Sequence, residues 1–576
     1  MGTDPLMVSE RVGEAGEAGP AAGARPVPGR PGGGAASVAA GILLSRLFGL
    51  VREQAVAFFF GVGPHADALT AAVRVPNALQ NLLGEGALSA AFIPGYSRLL
   101  AEGRREEAGR FAGAIFGLLL AGAAGLALLG IVLARPLVAV LAPGFLGDAA
   151  AVAAGKLPVD RFALTVHAVR ILFPGSACLV LAVWALAVLN SHRRFFLPYF
   201  APVLWNSAMI AALVLAGGGL RHPGAADRAR LLAAFCWGAM AGGLLQFLVQ
   251  LPAVAGVLAG FRLSFSTRVP GVREAVGAWW PVVAGRGAVQ LAGYLDLFLA
   301  TLLATGAASA NRFAQMLYML PISLFGMSIA ASELPELSRL RTGGSAATLL
   351  ARVRRALATV AFLNIPTVVG YLVFGYLIVG LLYRHGSFTR PNAWLVYLAL
   401  CGYSVGILAA TSSRLLQNTF YALGETRKPA RIAATRVAAA ALVALPLMFW
   451  LDRFPLAAVI RQAGGEPLYL GVVGLSLASG AGAWLELGLL RAALRRRLPE
   501  FELPWRDDAR MALLAAGAAL PAALVWRLLE SLPTVPKALL VLATYGASYL
   551  AAARLAHLPE LAYFLDRLRR RRTPPE

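Results

Sequence analysis

The stretch FAGAIFGLLLAGAAGLALLGIVLA, Phe111 to Ala134, holds neither a charged nor a polar side chain. At 1.5 Å per residue a helix of this length crosses the ~30 Å hydrocarbon core of a bilayer. Lipid offers no partner to backbone amides, so the segment must satisfy its own hydrogen bonds, and a helix does so. Comparable runs recur from residue 36 to residue 556 of the 576-residue chain, which is 58% hydrophobic and 14% charged. Its mean hydropathy is +0.68. These values exceed the apolar share of soluble domains and predict an all-α integral membrane protein.

Spans are expected near 36–60, 66–98, 107–134, 160–190, 196–217, 229–259, 274–304, 306–337, 349–383, 391–422, 429–451, 467–494, 509–530 and 535–556, about fourteen helices. The connecting segments test that number. One alternating set carries Arg98, Arg104, Arg105 and Arg110; Arg193 and Arg194; Arg262, Arg268 and Arg273; Arg339, Arg341, Arg352, Arg354 and Arg355; Arg427, Lys428 and Arg431; Arg495 to Arg497; and Arg569 to Arg572. Roughly 28 basic residues fall on this set and about 11 on the other, so the first set is read as cytoplasmic, with both termini inside. The expected organisation is a disordered lead (1–34), an N-terminal lobe of six helices (35–259), a cytoplasmic linker (260–273), a C-terminal lobe of six helices (274–494), two further helices (509–556) and a basic cytoplasmic tail (557–576).

The surplus of Lys and Arg (52) over Asp and Glu (29) does not point to nucleic acid, because it sits in short clusters between apolar runs. Cys178, Cys236 and Cys401 lie in separate spans without ligand spacing, so neither a disulfide framework nor a metal site is indicated. No nucleotide-binding loop and no nucleophile with a positioned base is visible, and no cofactor is expected.

Charges inside the spans are the exception to this apolar pattern. A charge at helix centre costs at least ~2.5–3.5 kcal/mol on insertion scales and marks function by default. The first span reads Ser45-Arg46-Leu47-Phe48-Gly49-Leu50-Val51-Arg52-Glu53, with Arg46 and Glu53 near one helix face. The second holds Asp67, Arg74, Pro76-Asn77 and Gly84-Glu85-Gly86, the composition of a bent, polar-lined helix. One reading pairs Arg46 with Glu53 and Asp67 with Arg74 simply to tie helices together. The other notes that two arginines beside one acid leave positive charge in excess, and guanidinium groups suit a phosphate-bearing ligand. Arg286 and Asp296 share a face of the seventh span, whereas Glu333 and Glu486 fall near span ends.

The segment Ser45 to Glu53, then Asp67, Arg74-Val75-Pro76-Asn77, Gly84-Glu85-Gly86-Ala87-Leu88-Ser89 and Phe92-Ile93-Pro94, resembles the MurJ (MviN) lipid II flippase family of the MOP exporter superfamily. Leu189-Asn190-Ser191, Leu317-Tyr318-Met319-Leu320-Pro321 and Phe420 to Arg427 extend the resemblance over residues 36–556. It implies a fourteen-helix, two-lobed carrier that moves undecaprenyl-pyrophosphate-linked peptidoglycan precursor from the inner to the outer leaflet by alternating access. Also implied are a central cationic cavity, a groove for the polyprenyl tail on the last two helices, a place in the bacterial inner membrane and contact with cell-wall synthesis machinery. By the same resemblance Arg46 and Arg52 match the family's functional arginines on helix 1, and Asp67, Asn77 and Glu85 match motif positions on helix 2.

Two positions depart from that pattern. Gln80 stands where the family usually has arginine, and Gln315-Met316 stand where it has an Asp-Arg pair. Arg286 and Arg312 are the candidates to refill the cavity, Arg312 lying one turn before Met316. The expected substrate-binding set is therefore Arg46, Arg52, Asp67, Arg74, Asn77, Glu85, Arg286 and Arg312. The leading alternatives are a flippase for another polyprenyl-linked glycan and a small-molecule exporter of the same superfamily, whose cavity should carry acids.

Overall fold

The computed structural model describes residues 33–83, 85–219, 223–343, 345–460 and 467–561. Its helices are α1 (Gly33–Phe60), α2 (Pro64–Leu83), α3 (Glu85–Ala101), α4 (Arg105–Val132), α5 (Ala134–Leu141), α6 (Asp148–Ala153), α7 (Arg161–Ser191), α8 (Phe196–Gly217), α9 (Ala225–Leu248), α10 (Leu251–Ala255), α11 (Val272–Thr301), α12 (Ala307–Pro321), α13 (Ser328–Gly343), α14 (Ala346–Tyr383), α15 (Arg390–Ser404), α16 (Ile407–Ala422), α17 (Arg427–Leu451), α18 (Gly471–Arg495), α19 (Trp505–Leu528) and α20 (Thr534–Leu555).

Each predicted span falls on one of these helices or on a consecutive pair. The second span is α2 with α3, the eighth is α12 and α13 joined through a π-turn at Ile322–Met327, and the tenth is α15 with α16. Among the described residues ten helices are long and apolar enough to cross a membrane, or twelve if each bent pair is one span. One bent pair was not expected. Residues 135–153, read from sequence as part of a loop, belong to α5 and to a second short helical piece at 104° to it. Pro143 and Gly144 permit that corner, and Gly144 lies so close to the Thr301 carbonyl that a side chain there would collide with it.

Helix starts follow ordinary capping chemistry. The Asp160 side chain accepts from the Ala163 amide at the head of α7, and Ser345 does the same for Thr348 at α14. α1, α2, α4, α7, α8 and α9 pack into one bundle, and α12 and α14 to α18 into another, with α2, α3 and α12 meeting α11 at the seam. α19 and α20 lie against α14 over a separate apolar cluster that includes Phe362, Phe374, Tyr545 and Tyr549. Pro366 has no amide hydrogen, which frees the Phe362 carbonyl of α14, and the Tyr549 hydroxyl donates to it at 3.1 Å.

Gly109, Gly113 and Gly117 make a stripe along α4, and the linker backbone lies on it. A Cβ at these positions would strike the carbonyl oxygens of Ala259, Arg262 and Ser264 respectively. Gly125, by contrast, faces open space. Replacing Gly113 with Ala should therefore destabilise the fold, by the ~1–3 kcal/mol typical of overpacking, and lower the melting midpoint. Gly125→Ala should leave it unchanged or raise it, since alanine is the better helix former. Thermal melts of the two purified variants distinguish these outcomes.

Candidate functional site

Where α1 meets α8 and α12, one carboxylate faces two guanidinium groups. Glu53 is 3% exposed, and its Oε1 accepts from Arg52 Nη2 at 2.7 Å and from Arg312 Nη2 at 2.8 Å. Arg52 also donates through Nη1 to Asn206 Oδ1 at 3.1 Å and stands 5.6 Å from the centre of the Trp205 ring. Two cations against one anion leave a net positive charge. Arg52 Nε, Arg312 Nη1 and Glu53 Oε2 are buried without a hydrogen-bond partner among the described residues. Beside them lies a cavity of about 20 Å³ whose walls include Arg52, Asn77, Ser176 and Arg312. That is room for roughly one water, so a diphosphate enters only if the bundles separate.

The pairings of the first reading, Arg46 with Glu53 and Asp67 with Arg74, do not form. Arg46 is exposed and donates to Ser323 Oγ of the α12–α13 turn at 3.0 Å, while its place beside Glu53 is taken by Arg52 and Arg312. Helical spacing considers one helix, whereas the flexible Arg52 side chain reaches its neighbour and Arg312 arrives from a different bundle. Asp67 does not pair with Arg74 either. It is fully buried and accepts from Gly306 N at 2.6 Å, Ser309 N at 2.8 Å and Ser309 Oγ at 2.7 Å, capping the start of α12 from across the seam. Gly306 can offer its amide this way because it sits at φ 93°, a conformation that glycine adopts without strain. Arg161 Nη1 waits 3.6 Å from Asp67, and Asp148 holds the rest of that guanidinium at 2.6 and 2.9 Å. Further closure at this end comes from Ser387 N to Phe58 O at 2.7 Å and Val62 N to Asn392 Oδ1 at 3.4 Å.

Arg74 instead crosses the seam to α11, with its guanidinium against Gly293 and 6.0 Å from the centre of the Tyr294 ring. Asp296 accepts from Gln315 Nε2 at 3.1 Å, and the same amide donates to Tyr403 at 3.0 Å. The side chains of Glu85 and Arg286 lie outside the described residues. Of the eight expected site residues, Arg52, Asn77 and Arg312 line one cavity; Arg46, Asp67 and Arg74 occupy other parts of the same seam.

Sequence profiles separate the possible families of such a seam. The profile described as lipid II flippase MurJ matches residues 56–545. The chain belongs to that family. It is 30% identical to the lipid II flippase MurJ of Burkholderia cenocepacia, over 79% of this chain and 82% of that one. It is 32% identical to a probable lipid II flippase MurJ of Rhizobium meliloti, over 72% and 74%. In fold it is similar to a solved lipid II flippase MurJ in an inward closed conformation, with TM-score 0.68 and 19% identity over 90% of this chain and 98% of that one. An inward-facing multidrug MATE transporter of the MOP superfamily aligns with TM-score 0.59 at 15% identity, over 81% and 98%.

Within this MurJ family frame, several participants escaped the sequence reading. Asn206 and Trp205 are neutral residues of an apolar span, and their only signal was that Asn206 is polar inside it. Asp148 lies within a segment read as loop, and Arg161 stands at the head of the span that follows it. Arg436 of α17 binds Glu486 Oε2 at 2.9 Å while Gln417 of α16 holds Glu486 Oε1 at 2.7 Å, tying three helices together. Glu333 pairs with Arg352 Nε at 2.7 Å where both remain partly exposed.

Proposed function

We propose that this multi-pass membrane protein is a lipid II flippase, a carrier without a catalytic step, that moves its substrate from the inner to the outer leaflet by alternating access. The observation that supports it is the Arg52–Glu53–Arg312 cluster, with buried, unpartnered guanidinium nitrogens beside a small cavity in a chain of the MurJ family. A diphosphate offers these donors paired acceptor oxygens, and Arg is suited to bidentate phosphate binding. Arg46 at the membrane-facing edge of the seam would meet the headgroup first, Asn77 and Arg74 would line its path, and Glu85 and Arg286 complete the proposed set. Asp67 acts as the closure of the opposite end.

In this reading residues 35–259 and 274–494 are the moving lobes, 260–273 is the cytoplasmic linker, and 509–556 carry the polyprenyl tail. Both termini, with the lead 1–34 and tail 557–576, lie in the cytoplasm of a bacterial cell. The membrane is the inner one, where cell-wall synthesis machinery is the expected neighbour. Arg312 supplies, one turn away, the charge that Met316 lacks.

Rescue of a cell depleted of its own lipid II flippase tests this function. The unaltered chain should restore growth, and Arg46→Ala and Arg52→Ala should each abolish or greatly weaken rescue at equal membrane abundance. Growth that is restored equally by all three chains would remove the guanidinium-cavity mechanism, and no rescue by any of them would remove lipid II as the substrate.

A further inference from the structure

A second cavity, of about 280 Å³, opens between α3, α4 and α11, separate from the arginine cluster. Leu88 and Phe92 form one wall, Ile115 to Leu126 of α4 another, and Val276 and Trp279 of α11 the third. Among the described residues the lining is almost wholly apolar. Its α4 wall runs twelve residues, from Ile115 to Leu126, about 16 Å of helix axis, which matches one leaflet's half of the ~30 Å hydrocarbon core. At about 280 Å³ the cavity is more than ten times the size of the one beside the arginine cluster, room for a segment of chain rather than a single water. Gly122 and Leu126 are exposed at its open side, so the recess opens to the surface of α4 rather than into the protein interior.

The charge at one mouth of the recess says what occupies it. The Phe92 ring stacks on Phe111 at 5.6 Å, and Gly271 of the linker lies against Phe111. Arg268 and Arg273 flank that glycine, both exposed, and Arg273 stands one turn before Val276 on α11. Glu274 is the acid beside them, and Arg110 is already engaged by Glu106 at 3.4 Å. An apolar slot one leaflet deep with guanidinium groups at its interfacial end is complementary to a lipid with a negatively charged headgroup.

We infer that this recess binds one acyl chain of an anionic phospholipid, with its phosphate held at Arg273 and Arg268. The site differs from the substrate cavity and from the tail groove proposed for α19 and α20, which pack on α14. α3 and α4 belong to the first lobe and α11 to the second, so the bound lipid touches both and favours the arrangement in which they meet.

Trp279 reports directly on occupancy. The full chain is placed in vesicles of phosphatidylglycerol with dibrominated acyl chains, and in vesicles of phosphatidylcholine with the same chains. The Trp279 contribution is the difference in quenching between the unaltered protein and Trp279→Phe. Brominated phosphatidylglycerol should quench that contribution several-fold more than brominated phosphatidylcholine at equal mole fraction. Arg273→Gln, an exposed substitution that leaves packing untouched, should bring the two lipids level. Gly122→Phe, directed into the open recess, should abolish the contribution for both. Equal quenching by the two lipids in the unaltered protein, or none by either, overturns the inference. So does relief of the phosphatidylglycerol quenching by one equivalent of a polyprenyl phosphate, which would assign the recess to the substrate's tail.

Discussion

Glu53→Ala is expected to abolish rescue of a flippase-depleted cell although it makes the cavity more positive. With the carboxylate gone, Arg52 and Arg312 face each other across a space that holds roughly one water, and removing one partner from a buried ion cluster costs ~3–5 kcal/mol. Each arginine side chain keeps about a fifth of its surface exposed, 20% for Arg52 and 19% for Arg312, so the lower end of that range applies. At ~1.4 kcal/mol per factor of ten, the closed arrangement should lose about 100-fold in population relative to arrangements with the lobes apart. A lipid diphosphate should then bind more tightly and leave more slowly, since the internal anion no longer competes for the two arginines. Spin labels at residues 104 and 496 should show a longer distance distribution in Glu53→Ala, and Glu53→Gln should lie between it and the unaltered chain. Full rescue by Glu53→Ala would mean that Glu53 is not the internal competitor of the substrate phosphate.

What the sequence discloses and what it hides divide along a physical line. Apolar runs report spans directly because lipid leaves the backbone a single way to be satisfied, and every predicted span coincides with a helix or helix pair. The α5–α6 corner was hidden because short helices meeting at 104° have the composition of a loop. Arg46, Arg52, Asp67 and Arg74 stood out as intramembrane charges, but the way they pair did not. Arg312 is separated from Glu53 by 259 residues and Ser309 from Asp67 by 242, distances that no periodicity spans. Arg436 was hidden differently. It follows Arg427, Lys428 and Arg431 so closely that it reads as the edge of a basic loop, yet it reaches back into the bundle to Glu486.

Removing the carboxylate of Asp67 should unfasten the opposite end of the seam. Asp67→Ala leaves the Gly306 and Ser309 amides and the Ser309 hydroxyl without an acceptor, and hydrogen bonds to a charged group contribute ~1.5–3 kcal/mol each. Even the loss of one such bond, net of solvation, shifts the closed-to-open ratio at this end by more than tenfold. A cysteine at the fully buried Ala310, in a chain lacking Cys178, Cys236 and Cys401, should react at least that much faster with an impermeant maleimide added outside the cell. Arg161→Gln should act in the reverse direction. Arg161 Nη1 is buried, has no hydrogen-bond partner and sits 3.6 Å from Asp67, poised to receive the carboxylate once α12 withdraws. Without it, a withdrawn Asp67 would be a buried unpaired charge, so the opened state is penalised more than the closed one and labelling at residue 310 should fall below that of the parent chain. If Arg161→Gln instead labels as fast as Asp67→Ala, the arginine supports only the closed state and the carboxylate has no second partner waiting.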